Sequence, residues 1–190
     1  AADHADKIIA ISERTKFDLI NLFEIDQNRI EVIFQNCDPV FRNKITDAEK
    51  QKIRSVYNLP ENYLLYVGTI ETRKNALLAV KALRELDTDI QLIIIGKDTP
   101  YAEKVREYVS KYSLISRVHF LKNVTFNDLP GLYQMADLFL FPSEYEGFGI
   151  PVVEALSSGV PVIAATGSCL EEAGGAGSIY IDPKDSSALA

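Results

Sequence analysis

The chain has 190 residues, of which 47% are apolar and 25% are charged, and its formal net charge is -7. This composition is typical of a globular protein with a sizeable core, and no apolar run approaches the roughly 20 residues that span a bilayer. An acidic chain repels nucleic acid and anionic lipid, so neither is expected as its main partner.

Cysteine and histidine usage gives no sign of a disulfide framework or a metal site. Cys37 and Cys169 are far apart in sequence and are interpreted as reduced thiols, which predicts a cytoplasmic protein. His4 and His119 lack the spacing of metal ligands, and a strand histidine without a catalytic role is favoured for His119. Residues 1–6 have no basic segment followed by an apolar core, so no signal peptide is predicted there.

The first part of the chain predicts a unit separate from the rest. Its predicted elements are a strand at 7–11, a helix at 13–23 and a strand at 30–34. Ser12 suits the N-cap of that helix. This order predicts the last βαβ unit of another domain, over residues 1–38. Residues 39–62 are predicted to be a linker that contains a charged helix at 47–57 and a turn at 58–62.

From residue 63 to residue 190, short apolar runs alternate with helical patterns. Strands are predicted at 63–67, 91–95, 118–121, 138–141, 160–164 and 178–181. Helices are predicted at 76–86, 101–112, 127–136 and 151–157, with Asn127 as a cap. Strands that are apolar on both faces and alternate with helices predict an α/β fold with a doubly wound parallel sheet. Such sheets bind ligands at the carboxyl ends of their strands.

The loop at residues 68–75 is the first candidate for chemistry, because it follows a predicted strand and opens a helix. Gly68 allows a close approach of the backbone to a ligand. Arg73 and Lys74 lie where the free N–H groups of a helix already favour an anion, and two cations there suit a diphosphate. The alternative is a solvated basic pair with Asn75 as the helix cap, and the residues alone leave both interpretations open.

The segment at residues 142–155 is the second and stronger candidate. Pro151 suits the first position of a helix, so the preceding glycine-rich residues would present free N–H groups. Glu146 lies in the loop and Glu154 in an apolar helical stretch, where a carboxylate needs a partner. Carboxylates commonly accept hydrogen bonds from the hydroxyls of sugars and ribose. The alternative makes both glutamates solvated surface residues.

Two further polar segments are interpreted as structural. Glu171 and Glu172 are predicted to lie in a capped, solvated turn. The glycine-rich residues 174–177 precede a strand and not a helix, so they are predicted to form a loop and not a phosphate cradle.

Several of these segments together resemble a known family. Residues 146–155 resemble the Glu-x7-Glu signature of family four of the retaining glycosyltransferases with the GT-B architecture, known as glycosyl transferases group 1. Residues 136–143 and 158–164 resemble the strands before and after that signature. Residues 66–75 resemble the phosphate loop of the family, and residues 33–38 resemble the crossing point between its two lobes.

The resemblance implies a role for each candidate residue. The residues implied in catalysis are Glu146, Lys74 and Arg73, with the cations on the diphosphate and Glu146 on the transferred sugar. The residues implied in donor binding are Gly68, Thr69, Phe148, Gly149, Ile150 and Glu154, with Glu154 on the ribose. Many family members have Arg where this chain has Thr69, which leaves open whether Arg73 supplies that charge.

The implied activity is transfer of a sugar from a nucleotide-diphosphate sugar to a glycan or lipid-linked acceptor, with retention of configuration. No metal or cofactor is implied, because the nucleotide sugar is a substrate. Residues 69–75 resemble those of mannosyltransferases that use GDP-mannose. The resemblance also makes residues 1–38 the end of the acceptor lobe, predicts that the fragment alone is inactive, and allows peripheral membrane association of the full-length enzyme. The alternatives are a sugar-nucleotide epimerase of similar architecture and a non-catalytic nucleotide-binding module.

Overall fold

The computed structural model describes residues 4–190, and the first three residues of the predicted amino-terminal unit lie outside the described residues. The chain begins with the predicted βαβ unit. Strands β1 (Ile8–Ala10) and β2 (Ile30–Val32) pair in parallel, and helix α1 (Glu13–Phe23) connects them. Helix α1 begins where the Ser12 side chain accepts a hydrogen bond from the Thr15 N–H.

The segment predicted to be a linker packs against the larger part of the chain. It contains a short 3-10 turn (Pro39–Arg42) and helix α2 (Asp47–Tyr57). Thr46 and Glu49 form a capping box at the start of α2, which fixes where the helix begins. Phe41, Ile53 and Leu59 are buried in the core of the main sheet, so this segment contributes to the stability of the unit that follows it.

The remainder of the chain forms one six-stranded sheet in which all strands are parallel. The strands are β3 (Tyr63–Val67), β4 (Gln91–Ile95), β5 (Val118–Leu121), β6 (Leu138–Phe141), β7 (Val162–Ala165) and β8 (Ile179–Ile181). Their spatial order is β5-β4-β3-β6-β7-β8. The sheet therefore grows outward in both directions from β3 and β6, and the topological switch point lies between these two strands. The predicted doubly wound α/β fold is confirmed.

Helices cover both faces of this sheet and bury two separate cores. The helices are α3 (Ala76–Glu85), α4 (Pro100–Lys111), α5 (Leu129–Gln134), α6 (Ile150–Ser157), α7 (Leu170–Gly174) and α8 (Ser186–Leu189). Leu64, Tyr66 and Leu140 pack with α3, α4 and α8 on one face. Leu65 and Phe139 pack with α5, α6 and α7 on the other. Alternation along each strand thus supplies both cores, as expected of a parallel sheet buried on both sides.

Two predictions about local structure were wrong. Helix α5 begins at Leu129 with Asp128 at the capping position, so Asn127 is not its cap. Glu171 and Glu172 lie in α7 and not in a turn. The Glu171 carboxylate accepts hydrogen bonds from the Thr166 hydroxyl and the Gly167 N–H, which anchors the start of this short helix.

The predicted loop at residues 174–177 is formed by the end of α7 and a 3-10 turn (Gly175–Gly177). Cys37 and Cys169 are both buried free thiols.

The loops after β3 and β4 are in van der Waals contact, which brings the first candidate loop against its neighbour. A Cβ atom at Gly96 would overlap the backbone carbonyl of Gly68.

We expect Gly96→Ala to lower the free energy of unfolding by about 1–3 kcal/mol, because the added methyl group meets backbone that cannot rotate away. Urea unfolding measures the change. Gly177→Ala is the matched control, since a Cβ atom there meets nothing within 4 Å, and its effect should stay below about 1 kcal/mol. Equal stabilities for the two variants would contradict the close approach of the two loops.

Candidate functional site

The two candidate loops meet at the switch point of the sheet. The loop after β3 carries Arg73 in a short 3-10 turn (Thr72–Lys74), and the loop after β6 carries Ser143 and Glu144. The carbonyl oxygen of Arg73 accepts a hydrogen bond of 2.7 Å from the Glu144 N–H, and the Ser143 hydroxyl oxygen lies 3.2 Å from it. These contacts join the two loops, so the side chains that they carry face one another.

Arg73, Lys74 and Glu146 form a charge cluster at this junction. The Glu146 Oε2 atom lies 3.1 Å from Arg73 Nη1, and its Oε1 atom lies 3.3 Å from Lys74 Nζ. The Ser143 hydroxyl donates a hydrogen bond of 3.0 Å to Glu146 Oε1. The side chains of Lys74 and Glu146 are 14% and 13% exposed, whereas that of Arg73 is 44% exposed and also pairs with Glu71. The predicted alternative of a solvated basic pair does not describe Lys74.

Packing against the sheet holds Lys74 in the cluster. Its Nζ atom lies 5.5 Å from the centroid of the Phe141 ring, at the end of β6, a geometry that favours a cation. Its backbone carbonyl accepts a hydrogen bond from the Tyr66 hydroxyl. Asn75 occupies the capping position of α3, but its side chain donates to the Pro183 carbonyl and makes no capping bond.

Helix α6 follows the loop that carries Glu146, and its start requires the glycine before it. Gly149 has φ +108°, and a Cβ atom there would lie 2.6 Å from the Leu170 side chain. Ile150 opens the helix and Pro151 follows within the first turn. Pro151 has no N–H, and the Val152 and Val153 N–H groups donate to the Gly149 carbonyl, so Ile150 is the residue of this first turn whose N–H can donate to an anion.

Glu154 lies further along α6 and bonds to a residue that sequence reasoning did not identify. The Tyr133 hydroxyl donates a hydrogen bond of 2.9 Å to Glu154 Oε2. Burial raises the pKa of Glu154, and the Tyr133 hydrogen bond opposes that rise. Burial also raises the pKa of Tyr133 well above its ordinary value, so the hydroxyl remains a donor. Tyr133 has the apolar spacing of any core residue, which is why no sequence signal distinguished it.

A row of aromatic rings links Lys74 to Glu154 along one face of the sheet. The Phe141 ring lies under Lys74 and stacks on Phe139 at 5.8 Å between centroids. The Phe139 ring in turn contacts Tyr133 at 5.2 Å, and Tyr133 binds Glu154. Both charged side chains therefore lie on the α5–α6 face of the sheet, as one binding site would require.

A largely apolar cavity of about 310 Å³ opens beside the loop after β3. Its lining residues are Val67, Gly68, Thr69, Ile95, Gly96, Val124, Thr125, Phe126 and Leu129. Gly68 and Thr69 are the predicted binding residues within it. The others lie at the ends of β3 and β4, in the loop after β5 and at the start of α5. A flat aromatic group is the kind of ligand part that such a cavity accepts.

The βαβ unit at the start of the chain contacts the loop that carries Glu146. The Ser12 and Thr15 hydroxyls both donate to the Gly147 carbonyl, at 2.8 and 3.2 Å. Phe148, which is buried, stacks on Phe34 with 5.8 Å between ring centroids. Sequence reasoning missed these contacts.

The position of Glu172 is a further correction to its predicted solvated turn. Its carboxylate accepts hydrogen bonds from the N–H groups of Glu13 and Arg14, at 2.7 and 3.0 Å. A carboxylate at the first turn of α1 is favoured by the free N–H groups and the helix dipole. Glu172 therefore fastens the βαβ unit to the main sheet.

Two features are absent from residues 4–190. Among residues 4–190, no three His, Cys, Asp or Glu side chains are grouped so that they could hold a metal ion. None of the helices in the described part of the chain is long and apolar enough to cross a membrane.

Comparison with known proteins gives relatives along nearly the whole chain. An O-antigen chain mannosyltransferase B from Escherichia coli is 32% identical over 192 residues, covering 98% of this chain and 50% of that protein. The O-antigen chain mannosyltransferase RfbU from Salmonella typhimurium is 31% identical over 178 residues, covering 94% of this chain and 47% of that protein. The chain thus spans about half the length of the curated relatives that it matches.

Solved structures share the fold. Anabaena Alr3699/HepE, solved in complex with UDP and glucose, has a TM-score of 0.88 at 24% identity, covering 100% of this chain and 53% of that one. A glycosyltransferase from Rickettsia africae has a TM-score of 0.89 at 23% identity, covering 97% of this chain and 51% of that one. Residues 47–190 match the family described as Glycosyl transferases group 1. The chain therefore belongs to the glycosyl transferases group 1 family, and its main sheet is a Rossmann-like lobe of the GT-B architecture.

Proposed function

We propose that this chain is the donor-binding half of a retaining glycosyltransferase that transfers mannose from GDP-mannose to a glycan or lipid-linked glycan acceptor. The observation that carries the proposal is the charge cluster of Arg73, Lys74 and Glu146 at the topological switch point, beside the start of α6. In doubly wound sheets this crevice is the place where nucleotides bind.

The diphosphate is proposed to bind between Lys74, Arg73 and the Ile150 N–H at the start of α6. Lys74 is held over the Phe141 ring with little exposure, so its charge is weakly screened and already in position. Arg73 is more exposed, so we expect it to contribute less. Fixed donors aimed at the leaving diphosphate stabilise the charge that develops when the bond to the sugar breaks, which is the largest electrostatic contribution open to such a site.

The nucleoside is proposed to lie between Glu154 and the apolar cavity beside Gly68. Glu154 has one carboxylate oxygen bound to Tyr133, and its remaining acceptor capacity suits the ribose hydroxyls. The cavity, lined by Ile95, Val124 and Phe126 among others, suits the flat face of a base. Gly68 and Thr69 form one wall of the cavity.

Three further parts of the proposal rest on likeness to other proteins. Retention of configuration and a sugar contact for Glu146 are proposed from the resemblance of residues 146–155 to the Glu-x7-Glu signature. Mannose is proposed because two relatives that cover nearly all of this chain are O-antigen mannosyltransferases. The acceptor is proposed to bind mainly to the half of those relatives that this chain does not match, so binding of the donor is the property to test.

Titration calorimetry of the chain with GDP, GDP-mannose, UDP and UDP-glucose tests the donor-binding proposal. We expect Lys74→Ala to weaken binding of the nucleoside diphosphate by about 1.5–3 kcal/mol, the range for a charge-assisted hydrogen bond. Lys104→Ala, which removes an exposed lysine of α4, is the control for the loss of one positive charge and should leave the affinity unchanged. Equal affinities for the two variants would exclude Lys74 from the diphosphate site.

The ribose contact of Glu154 is tested by pairing Glu154→Gln with nucleotides that lack one ribose hydroxyl. The parent chain should bind the deoxynucleotide more weakly than the ribonucleotide by about 1–3 kcal/mol, because a buried acceptor loses its donor. The variant should lose most of this discrimination. Glu107→Gln, at an exposed position on α4, should keep it. If Glu154→Gln discriminates as well as the parent chain, Glu154 does not contact the ribose.

The burial of Glu154 also predicts a change in stability with pH. Its raised pKa means that the folded state holds this proton more tightly than the unfolded chain, whose glutamates titrate at about 4.3. The stabilising contribution is complete below the unfolded pKa and is lost as the pH rises through the folded pKa. As the pH rises from about 4 through the folded pKa, Glu154→Gln should therefore gain stability relative to the parent chain, measured by urea unfolding. If the difference in the free energy of unfolding between Glu154→Gln and the parent chain does not change with pH, the raised pKa of Glu154 is contradicted.

A further inference from the structure

The carboxylate of Glu146 is held against the two cations that are proposed to bind the diphosphate. It contacts both Arg73 Nη1 and Lys74 Nζ while it is only 13% exposed. The Ser143 hydroxyl, which is fully buried, donates to the same carboxylate. The carboxylate therefore has hydrogen-bonding partners on both oxygens and little freedom to leave the site.

The backbone of the loop around Glu146 is also held in place from several directions. The Gly147 carbonyl accepts hydrogen bonds from Ser12 and Thr15, and the Glu146 carbonyl accepts one from the Cys169 thiol. Ser12 is fully buried, and burial raises the pKa of Cys169 to about 12, so the thiol remains a neutral donor. A phosphate bound to Arg73 and Lys74 thus approaches a carboxylate that cannot readily swing away.

Free nucleoside diphosphates and their sugar esters differ in their electrostatic and hydrogen-bonding interactions with the Glu146 carboxylate. A free terminal phosphate loses a second proton near pH 6, so at neutral pH it carries more negative charge than the esterified phosphate of a nucleotide sugar. Like charges at contact distance in a poorly solvated site repel strongly. The nucleotide sugar lacks that extra charge and brings hydroxyls that can donate to the carboxylate.

We infer that Glu146 is a specificity-determining residue that disfavours the free nucleoside diphosphate and favours its sugar ester, an inference that rests on the proposed function. The same carboxylate opposes one ligand through its charge and binds the other through its lone pairs. The free diphosphate is the product that remains after sugar transfer. Glu146 therefore also makes this product dissociate more readily than the unreacted nucleotide sugar.

The test is titration calorimetry of the parent chain and Glu146→Gln with GDP and GDP-mannose, and with UDP and UDP-glucose. Glutamine keeps the shape of the side chain but removes its charge. We expect Glu146→Gln to bind the free diphosphate about tenfold more tightly and the nucleotide sugar several-fold more weakly, so that the two affinities move in opposite directions. Thermal unfolding of each variant verifies that it is folded.

Two controls separate this effect from a general change in charge. Glu144→Gln makes the same charge change in the same loop at an exposed side chain, and the ratio of the two affinities should stay within about twofold of the parent value. A β-methyl ester of the diphosphate has the charge of a nucleotide sugar but no sugar hydroxyls. Its affinity should rise in Glu146→Gln, but by less than that of the free diphosphate, because Glu146 repels its less charged terminal phosphate less strongly.

Other outcomes have separate meanings. If Glu146→Gln shifts both ligands in the same direction, or shifts neither, the inference is overturned while the donor-binding proposal stands. If the parent chain binds none of the four nucleotides, the proposed function fails and the inference fails with it. Should Glu146→Gln not fold, Glu146→Asp withdraws the carboxylate from both cations, and the same opposed shifts are then expected in smaller measure.

Discussion

The reversal of strand order between β3 and β6 is the constraint on which the rest of the site depends. Helix α3 leaves β3 toward one face of the sheet and α6 leaves β6 toward the other, so the loops between them open a crevice. Within that crevice the backbone of Arg73 bonds to the loop that carries Glu146, and the side chains pair as well. The crevice thus joins cations, a carboxylate and a helix start that are some 70 residues apart in sequence.

The elements of the main sheet could be predicted because their strands are apolar on both faces, which only a sheet covered on both sides requires. The strand order could not be predicted, because all of the parallel strands have the same apolar pattern. Short elements were also poorly predicted. Helix α7 has five residues, fewer than two turns, so no helical period could appear and Glu172 was assigned to a turn.

The partners of the site residues were the least predictable part of the structure. Sequence indicated that Glu154 needed a partner, because it lies among apolar residues, but nothing singled out Tyr133 from the other aromatic residues of the core. Ser12 was identified correctly as a helix cap, yet its hydroxyl also bonds to Gly147, 135 positions along the chain. Local signals identify which residues are unusual, whereas the fold decides what they contact.

The segment from Ser143 to Glu154 carries three features that a purely structural segment would not need. Ser143 is fully buried, Gly149 adopts a left-handed conformation, and Glu154 is a carboxylate whose pKa is raised by burial. A segment selected only for stability would replace each with an apolar residue or a relaxed backbone, since each departs from the local rule for its position. Together they surround Glu146 and the start of α6. That coincidence is a physical argument, independent of any likeness to other proteins, for the binding role proposed for this segment.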